Sequence, residues 1–136
     1  MALVVDASTA LTWCFADEAP SNDPQVLKAV HDEGAVVPAV WPIEVVNGVL
    51  LGLRRQRLDQ AEVARFLELL GGLNIRRDEA PLEHAFTAVL NTGVAHNLTA
   101  YDACYVELAQ RLGLRLITSN RRMAEAARTV GISLYP

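Results

Sequence analysis

Two hydrophobic rhythms alternate along the chain. Short, largely apolar runs, "ALVV", "AVVPAV", "LNIRR", "LRLIT" and "ISLY", read as strands. Between them lie longer stretches with apolar positions three and four apart, the spacing of helices with one packed side. "ASTALTWCF" follows the first strand, and "DPQVLKAVHDEG" is a helix closed by Gly34. "PIEVVNGVLLGLRRQ" starts on a proline, which suits a first helical turn. "DQAEVARFLELLGG" has Asp59 as cap and a Gly71-Gly72 stop. "PLEHAFTAVLNTG", "TAYDACYVELAQRLG" and "RRMAEAARTVG" complete the helices.

Strands separated by helices pair in parallel through right-handed crossovers, so the expected fold is an α/β sheet of about five strands covered on both faces. At 136 residues, half of them apolar, the chain is long enough for one core and too short for two, and residues 1–136 are expected to form a single domain. In such sheets ligands collect beyond the carboxyl ends of the strands, where the winding reverses.

Four polar residues fall on that edge. Asp6 ends the first strand and Asn120 follows the fourth, with Thr118 just before it. Glu44 lies in the first turn of the helix after the second strand. The helix carrying Asp102 ends at Gly113 and feeds the fourth strand through a short loop, so its first turn, with Asp102, starts at the carboxyl edge. Each residue also has a capping use: Asp6 and Asn120 are N-cap types, Glu44 suits the positive end of a helix, and Thr99 to Asp102 fits a capping box. Yet the flanking sequence is apolar, and carboxylates that converge raise one another's pKa unless a cation neutralises them. Oxygen donors without histidine or cysteine point to magnesium, with manganese as a substitute, rather than zinc. A divalent ion there suits phosphodiester hydrolysis, which needs no protein nucleophile; the chain has no GxSxG, and Cys14 and Cys104 have no neighbouring histidine.

The blocks "VVDASTALTWCFADE", "VVPAVWPIEVVNGVL", "YDACYVELAQRLG" and "LITSNRRMAEAAR" resemble, in order and spacing, those of PIN-domain ribonucleases, specifically the VapC toxins of VapBC toxin–antitoxin pairs. The resemblance implies a three-layer α/β/α sandwich and a magnesium-dependent endoribonuclease that cleaves RNA with a metal-activated water. It also implies a homodimer restrained by a cognate antitoxin. It makes Asp6, Glu44 and Asp102 the metal ligands, and Ser8, Asn47 and Thr118 accessory polar positions. One position departs from the pattern: Asn120 stands where the family usually has a fourth aspartate. The site thereby loses a unit of negative charge, which implies a weaker second metal site, a one-metal enzyme, or a module that binds RNA or antitoxin without cleaving.

Charge adds to this picture without deciding it. The balance is mildly acidic, 16 Asp plus Glu against 12 Lys plus Arg, and all of those cations but Lys28 are arginine, the better phosphate fork. Arg121 and Arg122 open a helix, where cations are unfavourable, so they are read as facing acids or RNA phosphate; Arg76 and Arg77, just past the third strand, are read likewise. Arg54, Arg55 and Arg57 close a helix, where cations belong. His31, His84 and His96 share no metal-ligand spacing. A phosphoacceptor signalling domain is disfavoured because it needs a late lysine and the chain has only Lys28, and a DxD phosphatase because Ser8 holds the second aspartate position.

The apolar girth of "VVNGVLLGL" is expected to be buried on several sides, in the core or against a dimer or antitoxin partner. The two cysteines read as buried thiols in a reducing, cytoplasmic setting. The stretch 34–53 is too interrupted by proline, Glu44 and Asn47 to span a membrane.

Overall fold

The computed structural model describes residues 1–15 and 24–136. Its elements run β1 (Leu3–Val5), α1 (Ala7–Thr12), α2 (Pro24–Glu33), β2 (Ala35–Val37), α3 (Trp41–Arg54), α4 (Gln60–Gly71), β3 (Ile75–Arg77), α5 (Leu82–His84), α6 (Leu90–His96), α7 (Ala100–Leu112), β4 (Leu116–Ile117) and α8 (Arg121–Thr129). A π-helical turn, Ala85–Val89, joins α5 to α6. The expected start of the second helix at Asp23, and the end of the first quoted block at residues 16–18, lie outside the described residues.

All strand pairs are parallel, in the order β3-β2-β1-β4. Going from β1 the chain winds outward through β2 to β3, then returns to the other side of β1 with β4. The winding therefore reverses between β1 and β4, and the residues that follow these two strands face each other. The last apolar run, expected as a fifth strand, contributes one bridge, Leu116 to Leu134. Leu116 N–H donates to Ser133 O and Tyr135 N–H to Leu116 O, and Pro136 has no N–H to extend the ladder. Pro38 likewise ends β2 at Val37, three residues short of the expected Val40.

Leu3, Val4 and Val5 are fully buried, as are Leu116 on β4 and Tyr105, Val106 and Leu108 on α7. Burial of each such aliphatic side chain is worth about 1.5–3 kcal/mol, so β1 is firmly anchored and Asp6 at its end has a fixed backbone. Helix α7 packs on β1 and β4 with α6 and α8 beside it, while α1 packs on α3. The α1–α3 approach is close because α3 offers Gly48 to Leu11 and Gly52 to Phe15 and Leu58; a Cβ at Gly52 would meet Leu58 at 2.7 Å. Gly34, at φ +78°, turns the chain from α2 into β2, a left-handed conformation glycine adopts without strain.

The apolar girth of α3 divides. Trp41, Val45, Val49 and Gly52 face the core, whereas Ile43, Val46, Leu50 and Leu51 are exposed. Cys14 is buried and Cys104 only half-buried; both are free, and burial pushes both thiols up from their ordinary pKa. Among the described residues no helix is long and apolar enough to cross a membrane.

Candidate active site

Asp6 is the N-cap of α1, its Oδ1 accepting the Thr9 N–H at 2.8 Å. Its other oxygen, Oδ2, accepts the Thr118 hydroxyl, and Thr118 Oγ1 in turn accepts the Asn120 N–H at 3.0 Å. Thr118 thus ties the end of β1 to the loop after β4, across the point where the winding reverses. Asp6 itself is buried.

Glu44 stands in the first turn of α3 and Asp102 in the first turn of α7. Burial raises the pKa of Glu44, a hydrogen bond from the Tyr105 hydroxyl opposes the rise, and the charges of Asp102 and Asp6 add to it. Asp102 is raised too, by burial first and by Asp6 second, while hydrogen bonds from Thr99 and Asn120 oppose the rise. The three acids therefore share one electrostatic field. Among the described residues none of them forms an ion pair with lysine or arginine.

Asn120 departs from the expected geometry in detail. As N-cap of α8 its Oδ1 accepts the Met123 N–H at 3.0 Å, and its Nδ2 lies 3.5 Å from Asp102 Oδ2. The amide oxygen is engaged by the helix, and the amide presents a donor to the acids. The capping use and the clustering use of Asp6 and Asn120 coexist, because each side chain has two ends.

Sequence reasoning passed over Tyr105. This fully buried side chain lies one helical turn after Asp102 and donates its hydroxyl to Glu44 Oε1 at 2.6 Å. Burial and the adjacent Glu44 raise its pKa far above the ordinary tyrosine value, so it acts as a donor. Sequence alone offers one signal: tyrosine at a core position where phenylalanine would fill the same space.

The remaining expected residues are more scattered. Ser8 is exposed and lines a cleft of about 270 Å³ with Leu11, Gly48, Leu51 and Arg55, whose walls include none of the three acids. Asn47 is exposed one turn beyond Glu44. Arg121 and Arg122 open α8 immediately after Asn120, exposed. Arg76 and Arg77 lie within β3 as its last two residues, rather than past it, and β2 separates them from the Asp6-bearing strand. Their distance from the acids follows from β3 being the edge strand.

His84, given no role by spacing, meets a buried carboxylate. Its Nε2 hydrogen-bonds Glu107 Oε1, which also accepts Arg111 Nε at 2.8 Å, and Arg111 forks to Asp78 at 2.6 and 3.3 Å. This network joins α5, α7 and the end of β3. On sequence, Glu107 and Arg111 look like an ordinary surface pair four apart on a helix.

Among the described residues no three histidine, cysteine, aspartate or glutamate side chains are grouped tightly enough to grip one ion as they stand. The donor chemistry nonetheless fits a hard divalent cation: three carboxylates in one field, unneutralised by any basic side chain, and Glu44 Oε2 with no hydrogen-bond partner among the described residues.

The PIN domain family matches residues 3–129 of the chain. VapC ribonuclease Mb0985 of Mycobacterium bovis is 32% identical over 123 residues, covering 90% of this chain and 89% of that protein. Ribonuclease VapC3 of Pyrobaculum aerophilum is 30% identical over 129 residues, 92% of this chain and 94% of its own. The crystal structure of PAE2754 from Pyrobaculum aerophilum superposes with a TM-score of 0.68 at 26% identity, covering 96% of this chain and 86% of that one.

Proposed function

The chain belongs to the PIN-domain family, and from that premise we propose that it is a magnesium-dependent endoribonuclease toxin of a type II toxin–antitoxin pair. The observation that carries the reading is the convergence of Asp6, Glu44 and Asp102 on the edge where β1 and β4 end, in a field that keeps two of the acids above their ordinary pKa. Burying like charges together is costly unless something cationic uses them. The VapC ribonucleases it resembles support RNA as the substrate.

Asp6, Glu44 and Asp102 are the residues that would hold magnesium, with manganese as the substitute. The bound cation would supply charge neutralisation at the phosphodiester and a lowered pKa for the attacking water. The protein's own part is placement. Thr9 and Thr118 fix Asp6 from both sides, and the Asn120 amide steadies Asp102. Arg121 and Arg122 give the RNA backbone a cationic landing beside the acids, offsetting an edge that alone repels phosphate. Arg76 and Arg77 extend that track as a more distant contact along the sheet edge. Ser8 and Asn47 are accessory polar positions at its margin.

A cognate antitoxin and a second copy of the chain are the partners this reading carries. Ile43, Val46 and Leu50 on α3, and Phe86, Leu90 and Val94 along the π turn and α6, are exposed apolar side chains that such partners would cover. The cytoplasm is the compartment that suits RNA as substrate and two free thiols.

A second reading rests on Asn120: with an amide donor where a carboxylate would stand, the fold binds RNA or antitoxin without turnover. Cleavage of RNA by the purified, antitoxin-free chain in magnesium, abolished by EDTA, supports the first reading. Binding without cleavage supports the second.

A further inference from the structure

We propose that Tyr105 is a positioning residue whose hydroxyl restrains the Glu44 carboxylate on the side of Asp6 and Asp102 before a cation arrives. The inference rests on the cation-dependent reading above and adds to it a residue that touches no substrate.

Two observations converge on this one phenol. It donates to Glu44 Oε1 at 2.6 Å, joining α7 to α3 across 61 residues of sequence. Asp102 lies one turn earlier on the tyrosine's own helix. A single hydroxyl thus ties the helix that carries Glu44 to the helix that carries Asp102.

The physics of the cluster explains why a tie is needed. Asp6 and Asp102 both push against the charge of Glu44. Glu44 is only half-buried and has rotatable bonds that lead out to solvent, so left alone its carboxylate relaxes away from its neighbours. Tyr105 is 1% exposed, so no water replaces its hydroxyl if it is removed. A buried hydroxyl is costly unless hydrogen-bonded, and phenylalanine would fill the same core volume without that cost. The bond also decides which oxygen is offered: Oε1 is taken, and Oε2 is left for the cation.

The test is the cation isotherm itself, measured calorimetrically with magnesium and with manganese on the wild type and Tyr105→Phe. The variant is expected to bind roughly tenfold more weakly, the scale of one lost hydrogen bond to a charged group. In cleavage assays its magnesium requirement should rise by the same factor, with kcat recovered at saturating cation. A tyrosine that only packs the core would lower Tm equally with and without cation and leave the isotherm unchanged; that result overturns the proposal. A wild type that binds neither ion removes the parent reading, and this one with it, which is a different outcome from an unchanged variant. If Tyr105→Phe does not fold, the wild-type phenol reports directly. Its 13Cζ resonance is expected to move on magnesium addition and to stay still in Glu44→Ala, and a resonance that ignores magnesium in the wild type overturns the proposal.

Discussion

Asn120 turns its amide nitrogen toward Asp102, 3.5 Å from Oδ2, while its oxygen caps α8 through Met123 N–H. Asn120 therefore acts here as a weak donor to Asp102. Placing a carboxylate there tests what the amide does. Asn120→Asp keeps an N-cap residue of similar strength, so α8 is not lost. It places a fourth negative charge against Asp102, so the cation-free protein should melt lower, cation affinity should rise, and cleavage should increase. Calorimetric titration and a melting curve with and without magnesium check all three together.

Asp102 carries a stability penalty that is linked to pH. Its folded-state pKa is raised, mainly by burial and then by Asp6, so the folded chain binds a proton there more readily than the unfolded chain. Stability from this group is therefore present below the unfolded value, about 3.9, and is lost as pH rises through the higher folded value. Asp102→Asn removes the penalty. In the absence of cation it should melt a few degrees higher than the wild type at pH 7, with the gap closing below about pH 4. Parallel melts across pH check this, and the same variant should have no cleavage activity.

Arg121 and Arg122 sit at the positive end of α8, where cations are unfavourable by about 0.3–1 kcal/mol each. Replacing both by alanine should leave stability unchanged or slightly raised. RNA affinity should fall, and the slope of log affinity against log salt should shrink by roughly one to two units. Fluorescence anisotropy with a labelled RNA at several salt concentrations measures both. An unaltered slope would remove these arginines from the RNA contact.

Glu107 is buried, hydrogen-bonded to His84 and ion-paired with Arg111. Arg111→Met should leave that carboxylate and Asp78 short of their main donor. Breaking a buried pair costs about 3–5 kcal/mol, and because Arg111 is partly exposed the lower end is expected, about 3 kcal/mol. Urea denaturation with an unchanged m-value reads this out. Removing both charged partners, with Glu107→Gln added, should restore part of the loss.

Much of this architecture is written in the apolar runs. Leu3–Val5 and Leu116–Ile117 stop at polar residues, and the helix between Thr99 and Gly113 leads directly into β4, so topology alone placed Asp6, Glu44, Asp102 and Asn120 on one edge. What periodicity does not encode is the direction of a side chain. Asn120 reads equally as cap or as oxygen donor until the Met123 N–H is seen to take its oxygen. Tyr105 reads as one more core aromatic, and Glu107 with Arg111 as a solvated pair, because a partner 61 residues away or on another helix leaves no local trace. The run 132–135 has strand composition but meets only one residue of β4, so local propensity there exceeds what the sheet edge accepts.

The central claim is that Asp6, Glu44 and Asp102 act together on RNA through a divalent cation. Its most direct test is the cleavage of a mixed RNA pool by antitoxin-free wild type beside Asp6→Asn, each in magnesium and in EDTA. Asp6→Asn keeps an N-cap for α1, and with it the fold, while removing one charge from the trio. The account predicts fragments from the wild type in magnesium alone and at least a hundredfold less from the variant, the scale of a lost catalytic group. Equal cleavage by wild type and variant, or cleavage that persists in EDTA, would contradict it.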